Sequence, residues 1–180
     1  MGVQNLGWDH TTKARRNLVK KQLMSFGFSL LMALSLATTA VTSVAAADNP
    51  SNDVFNQVNA LRVQHGLAPL VINAELTASA QSYAATLGQE NFFAHVGLDG
   101  STLVSRDEAA GYTHWTYLEE NLAAGQPTVT AAVNAWMNSP THRADLLSPE
   151  VTETGVGYVY VAGSRYGYYW VEEFGTSSTP

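Results

Sequence analysis

The feature that most constrains the fold of this chain is a pair of aromatic, β-branched runs near its C-terminus. The runs "GVGYVYV" (residues 155–161) and "YGYYWVEEF" (residues 166–174) flank the short segment "AGSR". Two such runs joined by a glycine-containing turn predict a β-hairpin. Successive residues of a strand face opposite sides, and we expect Val156, Tyr158 and Trp170 on the side that faces the core.

Helical patterns precede this hairpin. Asn73 and Thr128 are potential N-caps, and Gly66 and Gly88 are potential stop signals. The segment "YLEENLAAG" is expected to be extended. Helices that come first and strands that come last suit helices packed on an antiparallel sheet better than a doubly wound parallel fold. The expected helices run from Val54 to about Gly66, Asn73 to Gly88, Leu103 to Ala110, and Thr128 to Ser139.

The N-terminal quarter has the pattern of a secretory signal peptide. Five basic residues lie within 13–21, an apolar run covers 26–47, and small residues close it. We expect cleavage after Ala47, with Ala46 as the neighbouring option. The alternative is an uncleaved membrane anchor, since the apolar run is nearly long enough to span a bilayer. The predicted organisation is a signal peptide (1–47), a polar lead-in (48–52), one domain (53–175) and a flexible tail (176–180).

The charge of the predicted mature chain excludes some partners. Residues 48–180 hold four basic and 14 acidic residues, a formal charge of −10 with His neutral. Such a field repels polyanions, so no nucleic-acid partner is expected, and it attracts cations. The chain contains no cysteine, which excludes disulfides, zinc–thiolate sites and cysteine nucleophiles.

Four histidines of the mature chain are candidates for chemistry. His65 at a helix end and His114 in a loop are interpreted as structural or solvated. His95 and His142 each follow aromatic residues, and Glu120 lies between them in the sequence. If these three converged, two imidazoles and a carboxylate would form a metal site with an open position. The commoner alternative is a buried histidine satisfied by hydrogen bonds.

Several motifs in a fixed order give the chain a family resemblance. Together they resemble the bacterial branch of the CAP superfamily, which includes cysteine-rich secretory, antigen five and pathogenesis-related-one proteins and is also called the SCP domain. The resemblance covers residues 53–175. The motifs are "VFNQVNALRVQHGLAPL" (54–70), "NFFAHVG" (91–97), "EENLAAG" (119–125), "AVNAWMNSPTHRADLL" (132–147), "TETGVGYVY" (152–160) and "YYWVEEFG" (168–175).

This resemblance implies a three-layer α-β-α sandwich, an α+β fold with a central antiparallel sheet. It also implies a shallow cleft lined by two His and two acidic residues, which in some relatives binds zinc or another divalent ion. His95, Glu120 and His142 match three of these positions, but Ser139 stands where the second acid is expected. Without that acid, hydrolysis would lack a general base. Glu119 is no substitute, because adjacent strand residues face opposite sides.

Two neighbours of these residues are expected to have supporting roles. Asn121 should make a backbone hydrogen bond that holds the segment presenting Glu120. Arg143 should face away from the cleft and serve the structure.

The sequence therefore predicts a secreted bacterial CAP domain, extracellular or periplasmic and monomeric. Its cleft would bind a divalent metal ion, with zinc as the candidate, and an unknown extracellular ligand or protein. Contact with a membrane is expected only through an uncleaved leader. The alternatives are a metal-dependent hydrolase of extracellular polymers, a lipid or sterol carrier, and a purely structural envelope module.

Overall fold

The computed structural model describes residues 49–178, which form five helices and four strands. The predicted signal peptide lies outside the described residues. Within the described part, no helix has both the length and the apolar character needed to cross a bilayer. The helices are α1 (Pro50–Gln64), α2 (Ala74–Gln89), α3 (Leu103–Ala110), α4 (Val129–Met137) and α5 (Pro140–Leu146). The strands are β1 (Val71–Ile72), β2 (Trp115–Ala124), β3 (Glu153–Tyr160) and β4 (Tyr168–Ser177).

The four strands form one sheet in the order β1-β3-β4-β2. The predicted hairpin is confirmed as β3 and β4, and β2 pairs antiparallel with β4. The sheet is not antiparallel throughout, because Val71 and Ile72 run parallel to β3. This short strand lies in the link between α1 and α2, so its direction is set by the packing of those two helices.

Helices cover both faces of the sheet, which confirms the three-layer α-β-α sandwich. One core contains Trp170 and Val156, packed against residues of α1 and α4. A second core, on the other face, contains Tyr169 and Val171 packed against α2. Neighbouring residues of β4 thus enter opposite cores, as the pleat requires. The expected core positions of Val156 and Trp170 are confirmed, and Tyr158 packs partly against the same core.

Helix α2 approaches β3 closely enough to require glycine. A Cβ atom on Gly155 would lie 2.1 Å from the backbone nitrogen of Thr77, and one on Gly157 would lie 2.2 Å from the carbonyl oxygen of Ala80. Gly88, which we predicted as the end of this helix, lies inside it instead. A Cβ there would be 2.6 Å from a methyl group of Val161, so close packing and not termination explains this glycine.

The Ser-Pro pair has a role that the sequence pattern did not predict. It separates two helices, because α4 ends at Met137 and Pro140 opens α5. Proline is favoured at the first helical position, where its missing N–H is not needed. His142 consequently lies in the first turn of a helix and not on a turn between elements.

The ends of the domain are also more regular than the sequence predicted. Helix α1 begins at Pro50, within the expected polar lead-in, and Asn49 caps it. Strand β4 extends to Ser177, into the expected flexible tail.

Candidate functional site

The candidate site is built around β2, which has a strand partner on one side only within residues 49–178. Glu119 and Glu120 face opposite sides of this strand, as predicted. Glu120 is buried on the face covered by α2 and α3, with a side chain that is 3% exposed. Glu119 is partly buried on the other face, where it accepts a hydrogen bond from the Tyr117 hydroxyl at 3.0 Å.

Both carboxylate oxygens of Glu120 have cationic or imidazole partners. Oε1 lies 2.7 Å from Nδ1 of His95, and Oε2 lies 2.5 Å from a guanidinium nitrogen of Arg106. A carboxylate paired with a guanidinium only accepts hydrogen bonds, so Nδ1 of His95 must carry the hydrogen. The neutral imidazole then keeps its lone pair on Nε2. The His95 side chain is 58% exposed, so this nitrogen belongs to an accessible side chain.

Arg106 fixes both the carboxylate and the loop that carries His95. Its guanidinium donates to the carbonyl oxygens of His95 at 3.2 Å and Ser101 at 3.4 Å, and it lies 3.4 Å from the centre of the Tyr83 ring. Sequence reasoning missed this residue. The available signal was that a buried acid needs a cation, and the predicted mature chain has only four basic residues.

The second imidazole comes from the opposite helical layer. His142 lies on α5, and Asn121 of β2 donates a hydrogen bond to its carbonyl oxygen at 3.0 Å, as the predicted role of Asn121 requires. Asp145 follows one helical turn later, on the same side of α5. The charges of His95, His142 and Asp145 influence one another, which indicates that the three side chains lie near one another at the free edge of β2, a region we call the cleft.

The surroundings shift the pKa values of the two imidazoles in opposite directions. The hydrogen bond to Glu120 raises the pKa of His95 above its ordinary value of 6.5, although burial opposes this. Burial lowers the pKa of His142, and the neighbouring Asp145 charge only partly offsets it. Burial also raises the pKa of Asp145, against the pull of both imidazoles. At neutral pH the cleft therefore combines one readily protonated imidazole with one that stays neutral.

Asp145 is the second site residue that sequence reasoning missed. The hydroxyl of Ser139, at the position expected for the second acid, makes a 3.2 Å contact with the Thr141 hydroxyl. An acid is nevertheless present, one turn further along α5. Its spacing of three residues from His142 was the signal that could have identified it.

Buried Arg62 of α1 anchors the chain that follows α5. Its guanidinium donates to the carbonyl oxygens of Leu146 and Ser148, each at 2.9 Å, and to that of Val151 at 3.3 Å. These bonds fix the C-terminal end of α5 and hence the direction in which His142 and Asp145 project. Exposed Arg143 takes no part in an ion pair within the described residues, and its predicted structural role stays a prediction.

The predicted metal ligands are not gathered as a metal site. The structure brings His95 and Glu120 into direct contact, but His142 lies across the strand from them. Across residues 49–178, no group of three or more His, Cys, Asp or Glu side chains is arranged so that it could hold a metal ion. Glu120 is engaged by Arg106, which leaves His95 Nε2, His142 and Asp145 as the candidate metal donors near the edge of β2. These are nitrogen and oxygen donors of the types that zinc accepts.

Comparison with known proteins identifies relatives of this chain. The model of the cysteine-rich secretory protein family, CAP, matches residues 55–174. The uncharacterized protein YkwD of Bacillus subtilis is 34% identical over 137 residues, which covers 76% of this chain and 50% of YkwD. The chain thus spans about half the length of this relative.

Solved structures show the same fold. An outer surface protein of Borrelia burgdorferi superposes with a TM-score of 0.65 at 26% identity, covering 71% of this chain and 92% of the Borrelia protein. An extracellular protein of Bacillus anthracis that contains an SCP domain superposes with a TM-score of 0.63 at 25% identity, covering 71% of this chain and 40% of that protein.

Proposed function

This chain belongs to the cysteine-rich secretory protein (CAP) family, and on that premise we propose that it is an extracellular CAP domain whose cleft binds a divalent cation and an extracellular ligand. The 2.7 Å contact between Nδ1 of His95 and Glu120 is the observation that carries this proposal. Histidines that bind metals usually donate their other ring N–H to a carboxylate, which fixes the ring and raises its basicity.

The ligand set of this proposal differs from the one that the sequence predicted. His95 would bind through Nε2, and His142 and Asp145 would complete the set from α5, with zinc as the candidate ion. Glu120 would orient His95 instead of binding the cation, because Arg106 occupies its second oxygen. When bound, such an ion acts as a Lewis acid toward a ligand carbonyl or a water molecule.

Binding would require His95 and α5 to approach each other. The donors are not gathered around one point within residues 49–178, so α5 would have to move toward the His95 ring, which Glu120 holds in place. The field of the domain favours the approach of a cation, since residues 48–180 carry a formal charge of −10. His142 is ready to bind, because its lowered pKa leaves it neutral.

The extracellular location is supported by two independent observations. Residues 1–47 have the composition of a secretory signal peptide. Two structural relatives are described as an outer surface protein and an extracellular protein.

Calorimetric titration with zinc tests the proposed function. We expect one site in the parent protein, and we expect that site to be lost in both His95→Ala and His142→Ala. His114→Ala is the matched control, since this exposed histidine lies outside the cleft, and it should bind as the parent does. Zinc binding that survives in both cleft variants, or no binding in the parent, would overturn the proposal.

A second candidate function, metal-dependent hydrolysis, is favoured by Asp145. This acid supplies the carboxylate that Ser139 does not, and the opposed pKa shifts of His95 and His142 are typical of an acid–base pair. Cleavage of labelled casein that requires zinc and is lost in Asp145→Asn would support hydrolysis. Tight zinc binding without cleavage of casein would leave this protein as a binding domain.

A further inference from the structure

Strand β2 carries main-chain groups that have no partner within the sheet. In an antiparallel pair, opposed residues alternate between those that exchange both main-chain hydrogen bonds and those that exchange none. Gly125, which follows β2, donates to the carbonyl oxygen of Tyr168 at 2.9 Å, in the register of β2 against β4. Because the pattern repeats every two residues, the bonds to β4 belong to the odd-numbered residues of β2. The N–H and C=O groups of Leu118, Glu120 and Leu122 therefore point away from β4, toward the free edge.

The middle of this edge has no hydrogen-bond cover. The indole N–H of Trp136 donates to the carbonyl oxygen of Leu122 at 3.0 Å, which agrees with the direction given by the register. The main-chain groups of Leu118 and Glu120 have no such partner from any side chain or loop within residues 49–178. Glu120 as a whole is 8% exposed but its side chain only 3%, so most of its accessible surface belongs to the main chain. A ligand that reaches Glu120 therefore meets its main chain.

The main chain of an extended peptide matches these groups. Leu118 and Glu120 each offer one donor and one acceptor, and alternate residues of a strand lie roughly 7 Å apart. An extended peptide repeats its own donors and acceptors at the same spacing. It can therefore add to the free edge as a further strand, and its main-chain bonds provide the affinity.

A groove beside β2 provides room for the side chains of an added strand. It has a volume of about 610 Å³ and is lined by Tyr117 and Glu119 of the strand and by residues of α5 and the loop that follows it. Because side chains of a strand alternate between its two faces, every second residue of the peptide would face this groove. The others would face the side of Glu120, where the loop that carries His95 exposes Val96 and Leu98. The edge thus accommodates a peptide with side chains on both faces.

Charge favours a basic peptide over a second copy of this chain. Residues 48–180 carry a formal charge of −10, so two copies repel each other and a cationic segment is attracted. The groove is lined by two carboxylates, those of Glu119 and Glu150, and by one guanidinium, that of Arg143. Its net charge is therefore negative, which favours Lys or Arg side chains in the peptide.

We propose that the free edge of β2 binds an extended, basic peptide segment of a partner protein, as an additional strand of the sheet. The inference deepens the proposed function, since it names the class of the extracellular ligand. It rests on ligand binding in the cleft and does not require the cation.

Amide hydrogen exchange of the full chain, followed by NMR in the presence of EDTA, tests the proposal. The probe is the hexapeptide Lys-Val-Lys-Val-Lys-Val with blocked ends. At a peptide concentration of about ten times the Kd, exchange of the Leu118 and Glu120 amides should slow about tenfold. The matched control is the amide of Tyr160, on the free edge of β3, where Gln81 covers the main chain of Tyr158 but not the next position along. It should exchange as it does without peptide.

Changes to the protein and to the peptide separate main-chain pairing from other contacts. Leu118→Pro should abolish binding, because it removes an N–H from the free edge and no bond to β4, an orientation in which edge strands tolerate proline. Tyr160→Pro is the control and should bind as the parent does, and circular dichroism should show that both variants are folded. Two N-methylated peptides, one modified at every Val and one at every Lys, are compared with the parent peptide. At least one should fail to bind, because an added strand pairs through the N–H groups of one edge.

Undiminished binding of both methylated peptides, or no protection of the Leu118 and Glu120 amides, would overturn the proposal. Equal binding of Glu-Val-Glu-Val-Glu-Val would contradict a basic ligand. A dimer of the parent protein in sedimentation that Leu118→Pro abolishes would show a second copy, and not a partner peptide, on this edge. The zinc titration remains a separate test. Peptide binding without a zinc site would leave this inference standing while the cation proposal failed, and a zinc site without peptide binding would do the reverse.

Discussion

At the scale of single residues, one of the two cleft imidazoles favours its protonated form and the other its neutral form, for different physical reasons. His95 is held by a carboxylate that stabilises its protonated form. His142 lacks such a partner and is dominated by burial, which favours its neutral form. Protonated His95 therefore contributes stability that is present at acid pH and is lost as pH rises through its raised pKa. His142 contributes in the opposite sense, because its neutral form must be protonated as pH falls.

Glu120→Gln should lower the pKa of His95. The amide is nearly isosteric but carries no charge, so the main cause of the raised pKa disappears. NMR titration of the imidazole Cε1 proton measures this pKa directly. Glu90→Gln, an exposed acid in the same loop region, is the control and should leave it unchanged. An unaltered His95 pKa in Glu120→Gln would show that this contact does not exist in solution.

Beneath Glu120 the domain holds a second unusual group of acids. Glu173 lies directly opposite Glu120 in the strand pairing, and Asp107 interacts with Glu173. Asp107 and Glu173 are both fully buried. Burial is the main cause that raises the pKa of each, so together they retain a proton at neutral pH. The Ser79 hydroxyl donates a hydrogen bond to Glu173 at 3.1 Å.

Glu173→Gln should stabilise the protein at neutral and alkaline pH. The raised pKa of Glu173 means that its stabilising contribution is complete below its ordinary value of 4.5 and is lost as pH rises toward its folded value. The amide of Gln can keep the hydrogen bonds of Glu173, but it does not ionise as pH rises. Urea unfolding at several pH values measures the free energy of unfolding. As pH rises, this free energy should decline less steeply in the variant than in the parent, by up to roughly 1.4 kcal/mol per pH unit. Identical pH profiles for the two proteins would contradict this account.

At the scale of elements, the packing of α2 on β3 depends on two glycines. Gly155→Ala should be destabilising by about 3 kcal/mol or more, because the new methyl group meets helix backbone, which cannot move aside as a side chain can. Gly100→Ala is the control, since φ is +84° there but no atom lies within 4 Å. It should be destabilising by only about 1 kcal/mol, from backbone strain alone. Thermal unfolding of both variants compares them, and equal effects would show that close packing is not the reason for glycine at 155.

Arg62→Lys should loosen α5 as well as destabilise the domain. Lysine keeps the charge but cannot reproduce the forked set of bonds to three carbonyl oxygens. We expect a loss of about 3 kcal/mol in the free energy of unfolding, because buried carbonyl oxygens are left without a donor. Hydrogen exchange should show faster opening of α5 than of α2 in this variant. Unchanged exchange in α5 would mean that Arg62 does not position it.

Local signals predicted most of the elements, and long-range contacts account for what was missed. Asn73 and Thr128 cap helices by bonds to backbone within three residues, so sequence alone revealed them. Gly88 was misinterpreted, because its neighbours Val161 and Tyr169 are more than 70 residues away. The pairing of Arg106 with Glu120 joins the consecutive elements α3 and β2, and it was missed because local patterns do not specify how two such elements pack.

At the scale of the whole described domain, the cleft is where the two helical layers meet. Strand β2 is an edge strand, so groups from both layers reach around it. His95 comes from the layer of α2 and α3, and His142 and Asp145 come from the layer of α4 and α5. A cation held between them would therefore connect both layers and stabilise the sandwich by an amount that grows with the logarithm of the free cation concentration above the Kd.

Histidine-selective NMR of the protein during a zinc titration tests the central claim most directly. The account predicts that the imidazole signals of His95 and His142 shift or broaden together at one equivalent of zinc. The signals of His65 and His114, both exposed and outside the cleft, should stay in place. A titration in which the cleft imidazoles remain unchanged, or in which all four respond alike, would contradict a cation site in this cleft.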